Sequence, residues 1–296
     1  MSAVFFTDGV AVDADTLVVS AGLTDAPASR LYVKLAGTWL RHDVVDDFLI
    51  SVAHHHGLVC ALGRQGHVSW AGEWERPLTP WRIRGRFREY VITEAEARGP
   101  LERVRAVDGA FFACGRGGQF YRVQSGSWLR LERGLDPWRE NAFLDLDGFA
   151  RDDLYVVGMD GVAAHFDGSR WRYLHPPTRA HLYAVRCLSR GEVVVAGAEG
   201  TLYRGGRHGW RALQRGTTAE SFWSICAYGQ KLYLTSGLHG LHTYARGTFS
   251  DVTPGMHRPL THRLDAAGDV LWSVGPRSLL RFDGTTWSEP AGPDAK

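Results

Sequence analysis

Seven short apolar runs recur along the chain, each reaching a glycine: LVVSAG (17–22), LVCALG (58–63), AFFACG (110–115), LYVVGMDG (154–161), VVVAGAEG (193–200), LYLTSGLHG (232–240) and LWSVGPRS (271–278). The glycines are Gly22, Gly63, Gly115, Gly158, Gly197, Gly237 and Gly275, at intervals of 41, 52, 43, 39, 40 and 38 residues. From 11 to 17 residues beyond each glycine stands an aromatic residue: Trp39, Trp74, Trp128, Trp171, Trp210, Phe249 and Trp287. FDGSRW (166–171) and FDGTTW (282–287) place Asp-Gly hairpin signals just before two of them. Upstream of the runs lie half-apolar stretches such as FLISVA (48–53), FLDLDG (143–148), HLYAVRCL (181–188) and FWSICAYG (222–229).

Each unit therefore holds about four short strands joined by turns, and seven such units predict an all-β, seven-bladed β-propeller of four antiparallel strands and about 40 residues per blade. The pattern divides a single domain, 1–296, into blades at approximately 1–43, 44–80, 101–134, 141–176, 180–216, 219–254 and 260–290, with an insertion at 79–100. The repeated aromatics are expected to pack blade against blade, because every blade has one. The repeated glycines are expected at tight turns that need positive φ.

The repeat resembles the broad WD40/YVTN-like bacterial propeller superfamily over essentially the whole chain. The resemblance is one of fold. The Gly-His pair and terminal Trp-Asp of WD40 repeats are missing, and D-G-x-x-W lacks one residue of the sialidase-type Asp-box.

Composition narrows the function. The formal charge is only +2, which argues against nucleic acid as a partner. The basic charge is nearly all arginine, with lysine at 34, 231 and 296 only. The N-terminal stretch has no basic segment leading an apolar run, and no apolar stretch is long enough to cross a membrane, so a cytoplasmic location is expected. Cys60, Cys114, Cys187 and Cys226 sit singly within apolar runs and read as buried free thiols.

The unusual stretch is WRIRGRFREY (81–90), which puts Arg82, Arg84, Arg86 and Arg88 on one face of an extended strand. Such an edge suits solvent, an acidic protein surface, a nucleic acid or a small anion. In a propeller, the connections between blades and the turns between second and third strands share one face, and the insertion is expected there. The candidate partner-binding set is Trp81, Arg82, Arg84, Arg86, Arg88, Arg64, Arg116, Trp138, Arg139, Arg179, Trp223, His239, His257, Arg258 and Arg277. Tryptophan and arginine are the residue types most enriched at interface hot spots.

Neither a nucleophile elbow nor a P-loop, zincin or dinucleotide fingerprint occurs in a credible context. The triple histidine 54–56 lies in a turn without supporting ligands, so no metal and no cofactor are expected. The sequence points to a non-enzymatic scaffold, monomeric by itself, that holds one protein partner with an acidic patch. A bacterial immunity protein covering a toxin fits that description. The competing expectation is a hydrolase or lyase acting on an anionic carbohydrate at the channel mouth.

Overall fold

The computed structural model describes residues 4–26, 28–45, 47–71, 87–124, 127–136, 142–213, 220–237, 240–255 and 260–293. They form seven four-stranded sheets, each made of four strands consecutive in sequence and paired antiparallel. The innermost strands, in ring order, are Val4–Ala11, Leu49–His55, Leu101–Val107, Phe143–Ala150, Leu182–Cys187, Ser224–Tyr228 and Arg263–Ala267. Each touches the next around the ring, and the last touches the first. This is the seven-bladed propeller that the repeat predicts.

The unbroken apolar runs are the second strands, and they are buried on both faces. In Leu17–Leu23, Leu17, Val19 and Ala21 pack with Val270, Trp272 and Val274 of the seventh blade. Val18, pointing the other way, packs with Leu49, Val52 and Val59 of the second blade. A strand sandwiched between sheets has no polar face, which is why these runs do not alternate. Among the described residues, seven apolar clusters form, one at each boundary between neighbouring blades.

The repeated aromatics belong to these boundaries. Trp171 begins the outermost strand of the fourth blade, is buried, and donates its indole N–H to the carbonyl of Leu131 at 2.8 Å while packing on Phe120. Trp39 of the first blade donates to the carbonyl of Ala291 at 2.9 Å, beyond the last strand of the seventh. That bond, together with the Phe6 N–H on the carbonyl of Pro276 (2.8 Å), ties the ring closed without exchanging a strand. Residues 4–6 pair within their own blade, Val4 opposite Leu23, and not across the seam.

Two expectations change. The repeated glycines answer to crowding more than to positive φ: Gly158 and Gly197 have φ of −172° and −171°, plain extended backbone. A Cβ on Gly158 would lie 1.8 Å from the carbonyl oxygen of Ala142, and one on Gly197 would lie 1.9 Å from that of His181. At both positions the chain entering the inner strand crosses the end of the second strand and leaves no room for a side chain. Of the seven, Gly237 alone has positive φ, 65°.

The second blade differs as well. Its outermost strand is Phe87–Val91, paired with His67–Ala71. Phe87 packs against the cluster shared with the first blade, while Trp74, expected at the aromatic position, lies outside the described residues. The added residues, 72–86, connect the third strand to the fourth, whereas the spacing had suggested a connection between blades at 79–100. Because strands alternate in direction, Ala71 and Phe87 lie at the end of the ring opposite the blade-to-blade connections.

Candidate functional site

The sequence hides a band of charge inside the ring. An innermost strand has no further strand to pair with, so its channel-side N–H groups would go unsatisfied. Side chains from the preceding blade take them. The Asp8 carboxylate accepts from Val52 N–H (3.0 Å), Ser51 Oγ accepts from Val104 N–H (3.2 Å), and Asp145 accepts from Val185 N–H (3.0 Å). Asp147 accepts from Cys187 N–H (2.8 Å), Ser224 Oγ from Leu264 N–H (3.1 Å), and Asp265 from Ala11 N–H (2.8 Å).

Arginines neutralise most of these carboxylates. Arg103 reaches Asp8 at 2.7 Å and Asp145 at 3.1 Å, and Arg105 reaches Asp145 at 3.1 Å. Burial works against the Asp145 anion, but Arg105, Arg103 and Arg186 outweigh it and hold its pKa at about 2. Burial dominates at Asp265 and pushes its pKa up. Burial also lowers the pKa of Arg105 to about 10, with Arg103 adding to the effect. Arg103, Arg105, Arg186, Asp147 and Asp265 border a channel cavity of about 320 Å³, beside the halves of the inner strands that lead into the first turns. Pairs such as Arg103/Arg105 and Asp145/Asp147 stand two apart on strands, a visible alternation, but their convergence depends on ring closure.

The opposite face collects several of the expected partner-binding residues. Arg64 and Arg116, from the second and third blades, share Glu102 at 3.9 and 3.0 Å. Arg64 also lines a groove of about 440 Å³ with Asp47, Phe48, Gln65, Glu96, Gly99 and Pro100. Asp47 there is structural: it accepts the N–H groups of Gln65 and His67 and fixes their turn. Further round the ring, Arg179 and Arg277 are exposed on this face. Trp223 is 39% exposed. It stacks on Tyr183 with ring centroids 4.3 Å apart and an interplanar angle of 17°. Its carbonyl accepts from Arg263 at 3.3 Å.

Arg88 does not join this group. It lies exposed on the outermost strand of the second blade, opposite Trp70. The neighbouring side chains of that strand face the first blade: Phe87 stacks on His42, and Glu89 accepts from Ser69 while pairing with His42 and His67. Trp81, Arg82, Arg84, Arg86, Trp138, Arg139, His239, His257 and Arg258 lie outside the described residues.

Two chemistry-like features resolve into structure. His54 accepts the N–H of Gly57 at 3.1 Å within its turn. Ser236, His242 and Asp251 form a Ser-His-carboxylate series with links of 2.6 and 2.8 Å. The Ser236 and Gly237 N–H groups, however, donate to the carbonyls of Gly240 and Thr261, so neither is offered to an oxyanion. The series ties strands of the sixth blade together.

The fold and the channel define a seven-bladed β-propeller. The WD40 propeller domain of Doa1 superposes over 97% of this chain and 96% of its own, with a TM-score of 0.72 at 14% identity. YCF48 bound to D1 peptide superposes over 95% and 94%, with a TM-score of 0.70 at 14% identity. No family model matches the chain. Among curated proteins, Immune protein Tsi7 of Pseudomonas aeruginosa is 32% identical over 197 residues. The match covers 64% of this chain and spans 64% of that relative's length.

Proposed function

We propose that this chain is an immunity protein, a rigid and non-enzymatic scaffold that neutralises a protein toxin by binding it in the cytoplasm as a monomer. The observation that carries the reading is the 197-residue likeness to Immune protein Tsi7. The propeller suits the role physically: loops fixed on seven interlocked sheets lose little conformational freedom on binding.

The partner-facing surface in this reading is the end carrying the blade-to-blade connections. Trp223, braced by Tyr183, is its anchor, and Arg64, Arg116, Arg179 and Arg277, spread around the same end of the ring, offer positive charge to acidic groups of the toxin. Arg82, Arg84 and Arg86 are not assigned to this surface, because the strand ends that flank them face the other way.

The test is capture of the partner from native cells with wild-type protein and with a Trp223→Ala/Arg179→Glu variant. One stoichiometric protein, toxic when expressed alone, rescued by wild-type chain and lost by the variant, is the expected result. A stoichiometric partner that is harmless on its own would overturn the immunity reading. Equal capture by the variant would overturn the choice of surface.

A further inference from the structure

We propose that the channel cavity is a binding site for a small carboxylate-bearing group, held by Arg186. Arg103 and Arg105 are tied to Asp8 and Asp145, but Arg186 is not tied in this way. Among the described residues its guanidinium has one hydrogen bond, to the carbonyl of the adjacent Val185 at 3.3 Å, and a contact to Asp147 at 3.9 Å. The second distance is too long for a hydrogen bond, and that Asp147 oxygen already accepts from Cys187 N–H. A guanidinium offers five donors in a planar fork. A largely buried one that leaves most of them unused is complementary to an anion.

The cavity sets the ligand's size and charge. Ala11, Ala53, Ala106 and Ala266, from four inner strands, are among its lining residues. Its volume of about 320 Å³ lies at the small end of ligand pockets. Asp147 and Asp265 share the wall with the arginines, so a dianion such as phosphate meets about twice the repulsion that a single carboxylate does. Fork-to-fork pairing is the arrangement arginine and carboxylate favour. The carboxylate has two sources, a free small acid or an Asp or Glu side chain of a bound protein. The site itself does not depend on the immunity reading.

The full-length protein is titrated with acetate against chloride at constant ionic strength, following saturation transfer to the acetate methyl signal. Saturation at about 1–10 mM is expected, given how little a four-atom ligand gains. Arg186→Gln should weaken acetate at least about tenfold. Asp265→Asn, which removes a nearby negative charge, should tighten it about two- to tenfold. The absence of saturable binding, or unchanged binding by folded Arg186→Gln, overturns the site. If Arg186→Gln does not fold, unchanged affinity in Asp265→Asn overturns it. A stoichiometric small acid released on denaturing protein from native cells identifies a free ligand. Acetate displaced by the captured partner identifies a side chain, and then places the partner at the first-turn end of the channel rather than at the connection end. Either result upholds the site.

Discussion

Asp8 and Arg103 meet at 2.7 Å although they belong to the first and third blades, so their ion pair spans the whole inner strand of the second. The same Asp8 oxygen accepts from Ser51 Oγ at 2.8 Å and from Val52 N–H at 3.0 Å on that intervening strand. One carboxylate thus joins three blades. Replacing Arg103 with methionine should cost about 3–5 kcal/mol, because it strands a buried anion. Adding Asp8→Asn should restore part of the loss. Urea denaturation of the single and double variants measures both.

The ring should also weaken in acid, in two stages. Burial, helped by Arg263, holds the His262 pKa near 4. Its Nε2 is 3.0 Å from the Thr7 carbonyl, where the neutral imidazole donates. The folded pKa lies below the unfolded value of about 6.5, so folding favours the neutral form. This stability is full above about pH 6.5 and is lost as pH falls toward 4, by roughly 3 kcal/mol. Asp145, at about 2 against about 3.9 unfolded, adds a second loss below about pH 4. Urea midpoints across pH 3–7 should show both stages, and His262→Gln should flatten only the first.

Two tryptophans should separate stability from binding. Trp171 is buried between blades, and Trp171→Ala should destabilise the fold by about 3–5 kcal/mol. Trp223 is partly exposed, and Trp223→Ala should leave the melting temperature nearly unchanged while costing about 2 kcal/mol or more of partner affinity. Paired thermal melts and binding isotherms distinguish the two cases. Equal effects on melting would remove Trp223 from the proposed surface.

Gly158→Ala introduces a single methyl where the Ala142 carbonyl leaves no space. A cost of about 1–3 kcal/mol or more is expected in chemical denaturation, although the backbone there is ordinary extended chain.

The repeat made the ring legible because each second strand is squeezed between two sheets and must be apolar throughout, as Val18 and Val19 show by facing different neighbours. The outermost strands are harder to read, since one edge is solvated. In the second blade Phe87 begins the outermost strand, well beyond the spacing of the other aromatics, and the arginines beside it displaced the expected insertion. Trp223 stood out as an aromatic in a connection, yet its partner Tyr183 lies 40 residues away in another blade. The channel charges were visible as alternation in LERVRAV and FLDLDG. What they contact is set by which strands become neighbours around a closed circle, which local periodicity does not encode.

The same contiguity shapes how the chain reaches its native state. Each sheet is complete within its own stretch of sequence, so most pairing is short-range and blades can assemble in succession as the polypeptide leaves the ribosome. One step is different in kind. Phe6 must find Pro276, and Ala11 must find Asp265, across nearly the full chain. Neither contact can form until the last blade has been made, so in sequential assembly the seam between the first and seventh blades is the last boundary to close.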